Sequence, residues 1–75
     1  EGFQGYRLEQ QWSDVVGEQI GSCTRPVDYN KGVLTIAVSN ASLLTELQFF
    51  RQDIIGKVNT HVGKVWARKV RFISE

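Results

Sequence analysis

The chain has no methionine, one cysteine (Cys23), one histidine (His61) and one proline (Pro26). A single cysteine excludes an internal disulfide framework. One cysteine and one histidine are too few for a Cys/His zinc site. The lack of disulfide staples fits a reducing cytosol, so a cytoplasmic location is expected. No apolar run approaches the ~20 residues that a membrane span needs. No basic-then-apolar leader stands at the start, which is Glu1 rather than a methionine, as in a fragment or a trimmed chain. There is no Walker loop and no Rossmann glycine pattern. The acids are scattered, and no pair of them suggests glycosidase or metal chemistry. The inventory therefore argues against an enzyme, and no metal, cofactor, small-molecule substrate or membrane partner is expected.

The two residue types best suited to catalysis have plainer readings. His61 is a general base by chemistry, or a residue near a helix C-terminus, where positive charge is favoured. Cys23 is a nucleophile only beside a base or a helix N-terminus. It follows a helix end of the opposite polarity, so it reads as a small, partly buried apolar residue.

A further absence is positional. No acid occurs from Ile54 to Ser74, although that stretch holds Lys57, Lys64, Arg68, Lys69 and Arg71, five of the nine basic residues. The formal net charge is only +1, so the chain is locally polarised while nearly neutral overall.

What is present is regular periodicity. Leu8, Trp12, Val15, Val16 and Ile20 form one stripe, which predicts an amphipathic helix over residues 6–21. Gly21 suits the left-handed residue that ends such a helix. Gly17 lies inside the pattern, and a glycine there predicts close approach of another backbone. Thr24 to Tyr29 reads as a strand, with Pro26 pointing to an edge or a strand start. Asn30-Lys31-Gly32 fits a hairpin turn. Val33 to Val38 is a β-branched strand with Leu34, Ile36 and Val38 on its core face. Ser39, Asn40 and Ser42 offer capping oxygens. A long helix then runs to about His61, softened at Gly56 and ended by Gly63. Lys64 to Ile73 reads as a final strand. Trp66, Arg68, Val70 and Phe72 share one face of it, and Val65, Ala67, Lys69, Arg71 and Ile73 the other.

The order is α-β-β-α-β, which predicts an α+β, two-layer domain over residues 1–75, with 1–5 a frayed terminus. Both helices cover one face of a three-stranded sheet. The other face is partly open and carries Val33, Thr35, Lys69 and Arg71. A G-x-x-G string, Gly2-Phe3-Gln4-Gly5, precedes the first helix. In KH domains such a loop stands between two helices and clamps nucleotides, so this one reads as coincidence.

The basic end is the candidate site. Lys57, Lys64, Arg68, Lys69 and Arg71 suit phosphates, and Trp66 among them suits a base. The alternative is a solvated outer face whose lysines discourage edge pairing. Trp12 is likewise a core residue or a partner anchor, with its helical stripe favouring the core.

Several segments in order also resemble a family. Trp12-Ser13-Asp14-Val15-Val16-Gly17, Thr24-Arg25-Pro26, Gly32 to Val38, Glu46-Leu47, Asn59 and Val70-Arg71-Phe72 are similar to the DciA family. The resemblance implies a KH-like domain able to bind DNA, in a protein that recruits or loads the bacterial replicative helicase DnaB. It implies the helicase and single-stranded or forked DNA as partners, with RNA as a further possibility. The rival reading is a protein-interaction module without DNA contact.

Overall fold

The computed structural model describes residues 5–74, with side chains from residue 8 onward. The Gly2-Phe3-Gln4-Gly5 string lies outside them apart from Gly5, and so does the expectation of a frayed start.

The first helical stripe is kept, but its helix is not continuous. It folds as α1 (Gly5–Gln10), α2 (Trp12–Val16) and α3 (Glu18–Gly21). Leu8, Trp12 and Val16 are buried, and Val15 and Ile20 pack against them half-covered. The break comes at Gly17, with φ 96° and ψ 149°, a conformation open essentially to glycine alone. Nothing lies within 4 Å of a Cβ built there, so Gly17 is not the point of close approach that the sequence suggests. That point is Gly21. It lies within α3 rather than in a left-handed cap, and a Cβ on it would meet the Ser13 Cα at 2.7 Å. The glycine lets α3 fold back on α2.

Strands β1 (Thr24–Asn30) and β2 (Val33–Val38) form the expected hairpin, turned by Lys31 (φ 53°) and Gly32 (φ 85°). The register shifts between Pro26 and Asp28, a bulge that puts Pro26 and Tyr29 on the core side and Asp28 outside. β1 is an edge strand, where a proline costs no ladder bond.

The second helical region also divides. Asn40 caps it, its Oδ1 accepting from the Ser42 N–H at 3.0 Å. A single 3-10 turn (Ala41–Leu43) leads into α4 (Leu44–Gln48), and α5 (Arg51–Val62) follows after Phe49 and Phe50. The one long helix of the sequence reading is thus two. Phe49 and Phe50 donate their N–H groups to Glu46 and Leu47, i→i−3 bonds that tighten and close α4. Gly63 (φ 93°) ends α5 in the left-handed conformation, as its position predicts.

α5 is the crossover that lets β3 (Lys69–Ser74) pair parallel to β2, giving the sheet order β1-β2-β3. Leu34, Ile36, Ile54 and Val58 are fully buried between sheet and helices. The result is the expected α+β fold in α-β-β-α-β order, with helices on one face of a three-stranded sheet. Trp12 ties the layers together. Its Nε1–H donates to Thr24 Oγ1 at 2.9 Å, and that hydroxyl donates to the Ile20 carbonyl at 2.7 Å.

Candidate nucleic-acid interface

The parallel register decides which basic residues share a face. Lys69 lies beside Val33, Arg71 beside Thr35 and Ile73 beside Ala37. Val70 between them is buried, so Lys69 and Arg71 point outward and are exposed. Two residues apart on one strand face, their Cα atoms are about 7 Å from each other. Neither takes part in an ion pair among the described residues. The middle of this face is less open than the sequence suggests: Thr35 is 9% exposed and Ala37 2%.

Residues 64–68 are not strand, which corrects the expected side-chain alternation. Asn59 on α5 holds this connection. Its Oδ1 accepts from the N–H groups of Trp66 (3.0 Å) and Ala67 (2.7 Å), and its Nδ2 donates to the Ala67 carbonyl (2.9 Å). Ala67 is turned into the core, not outward with Lys69 as strand alternation requires. The Trp66 ring lies flat on Tyr29, with centroids 4.1 Å apart and planes 7° apart, and the Tyr29 hydroxyl donates to the Trp66 carbonyl at 2.7 Å. One face of the indole is therefore occupied within the fold.

Gly32 joins the two ends of this arrangement. Its carbonyl accepts from the N–H groups of Arg68 (2.8 Å) and Lys69 (3.1 Å). The Arg68 side chain runs beside Gly32, with its Cδ 3.4 Å from where a Cβ would stand. This brings Lys31, an exposed turn residue absent from the sequence-based set, next to Arg68 and Lys69. Only the strand register could have revealed it.

The six expected residues thus separate. Arg68, Lys69 and Arg71 form a run from the end of the sheet where β2 and β3 begin to the middle of β3. Lys64 is exposed in the loop before them, and Trp66 is half-buried. Lys57 stands apart in the helical layer, its Nζ 3.2 Å from Asp53 Oδ2. The outer sheet face also holds Arg25, whose guanidinium is 3.9 Å from Glu9, and the acid Asp28, on β1 two strands from Arg71.

Comparison with known proteins adds the family. Residues 1–72 match the sequence model of the family described as "Dna[CI] antecedent, DciA". The chain is 33% identical over 61 residues to a protein named UPF0232 protein in Mycobacterium tuberculosis (strain H37Rv), a match covering 81% of this chain and 33% of the relative. It is 34% identical over 53 residues to a UPF0232 protein of Mycobacterium ulcerans, covering 71% and 28%. A Mycobacterium leprae (strain TN) relative is 32% identical over 57 residues, covering 76% and 30%. The chain spans about a third of the length of the curated relatives it matches.

Proposed function

We infer, because this chain belongs to the DciA family, that it is a non-enzymatic adaptor of bacterial DNA replication. In this reading it recruits or loads the replicative helicase, of the DnaB type, in the cytoplasm. It contacts single-stranded or forked DNA through the basic end of its sheet. Family membership supports a helicase-loader role in general.

The observation that carries the nucleic-acid part is the exposed run Arg68, Lys69 and Arg71, joined by Lys31 across Gly32. Cations fixed along a strand neutralise backbone phosphates and release their counterions. Lys64 extends the run from the preceding loop. Trp66, stacked on Tyr29, serves mainly to hold that loop in shape. No base-specific reading is implied, because backbone contacts position a strand without reading its sequence.

The test is binding of labelled single-stranded DNA, forked DNA and RNA of equal length at several salt concentrations. With Lys69→Glu and Arg71→Glu, affinity falls, and the slope of log K against log salt becomes shallower by about 1.4 for two lost contacts. An unchanged affinity and slope removes the interface assignment. Tighter binding to RNA moves the reading to RNA.

The second reading, a protein-interaction module without DNA contact, has an observation of its own. Phe49 is 82% exposed at the junction of α4 and α5, beside the 40% exposed Phe50. Large exposed aromatics are common anchors of protein interfaces. Pull-down with purified helicase, with and without nuclease, separates the two: association lost on nuclease treatment counts against this second reading.

A further inference from the structure

A groove of about 750 Å³ lies on the helical side of the molecule, between α3 and the α4–α5 junction. Ile20, Leu43 and Phe50 supply apolar surface to it, and none of the three is fully buried. Glu18, Glu46 and Asp53 stand around them. Lys57, the one basic lining residue among the described residues, is paired with Asp53. Glu18 and Glu46 are exposed and take part in no ion pair among the described residues. The groove is thus apolar along its floor and net negative at its rim, on a chain whose opposite, sheet-side surface is basic.

We propose that this groove is a docking site for a partner protein's amphipathic helix, one with an apolar stripe flanked by lysines and arginines. Charge complementarity selects the flanks: the uncompensated Glu18 and Glu46 favour a cationic rim and repel nucleic acid. The walls select the helix. They are helical turns of α3, α4 and α5, and among the described lining residues none belongs to a strand, so they offer no open strand edge for an extended peptide. Recognition must run through side chains, which is the helix-in-groove mode. The proposal does not rest on the nucleic-acid interface, because Lys69 and Arg71 lie on the other side of the sheet.

Cys23, the only cysteine, lines the groove half-exposed and supplies a site-specific footprint. The probes are two synthetic helical peptides of about 18 residues, long enough to hold a helix. They share a leucine stripe, and its flanks are lysine in one and glutamate in the other. The lysine peptide is expected to bind and to slow maleimide alkylation of Cys23, and the glutamate peptide to do neither. Glu18→Lys with Glu46→Lys should weaken the lysine peptide by at least about tenfold while leaving single-stranded DNA affinity no weaker. Circular dichroism confirms that the double variant, altered only at exposed positions, remains folded. The proposal is overturned if the lysine peptide leaves Cys23 unprotected, or if both peptides bind alike. Charge reversal without effect also overturns it. So does protection of Cys23 that rises with protein concentration alone, which assigns the groove to a second copy of the chain.

Discussion

Asn59 grips Ala67 by both of its backbone groups, accepting from the N–H at 2.7 Å and donating to the carbonyl at 2.9 Å. Its third bond, from the Trp66 N–H, fixes the residue before. One amide side chain on α5 thereby sets how the chain enters β3, and with it the register that places Lys69 and Arg71. Asn59→Ala leaves these part-buried backbone groups without partners. The expected loss is about 2–4 kcal/mol, read as a shift of the urea midpoint. A loss below about 1 kcal/mol would show that water replaces the amide at little cost.

The Trp12–Thr24 bond makes a second prediction. Trp12→Phe keeps most of the buried ring but removes the indole N–H, and costs about 1–2 kcal/mol beyond the change in packing. Thr24→Val leaves that N–H buried without an acceptor and costs about 2–3 kcal/mol. The two residues share one bond, so the double variant should lose less than the sum. Strict additivity in a double-mutant cycle would rule out the coupling.

Glycines 17 and 21 should fail for different reasons. Gly17→Ala meets no neighbour but strains the backbone, at about 1–3 kcal/mol. Gly21→Ala drives a methyl into Ser13, at about 1–3 kcal/mol or more. Ser13→Gly removes the Oγ and Cβ contacts, so it should recover part of the Gly21→Ala loss and none of the Gly17→Ala loss. Thermal melts of the wild type, the three single variants and the two double variants decide it, and equal recovery at both sites would contradict the account.

In the proposed interface Lys31 takes the place that linear spacing gives to Lys57. Lys57→Glu, in the helical layer, should leave single-stranded DNA affinity nearly unchanged. Lys31→Glu, beside Arg68 and Lys69, should weaken it severalfold and flatten the salt slope by at least about 0.7. Fluorescence anisotropy of a labelled oligonucleotide gives both values. A larger effect at Lys57 than at Lys31 would relocate the interface to the helices.

The element order, the hairpin, the core face of β2 and the left-handed end at Gly63 were all legible in the sequence. Each depends on local physics: side-chain period, turn chemistry and the steric freedom of glycine. The breaks at Gly17 and at Phe49–Phe50 were not legible. Leu47 and Ile54 are seven residues apart, close to two helical turns, so their periodicity reads straight through the interruption. The family, too, was legible, in short segments whose order and spacing resemble DciA.

What only the tertiary structure decided is which basic residues meet. The acid-free stretch from Ile54 to Ser74 holds Arg68, Lys69 and Arg71, which the fold brings together, and Lys57, which stands in the helical layer. It passed over Lys31, which is distant in sequence. A parallel pairing across a twelve-residue helix, Asn59's hold on the loop and Gly32's two accepted bonds join those segments. Such contacts form only once the core has closed, and no local periodicity encodes them.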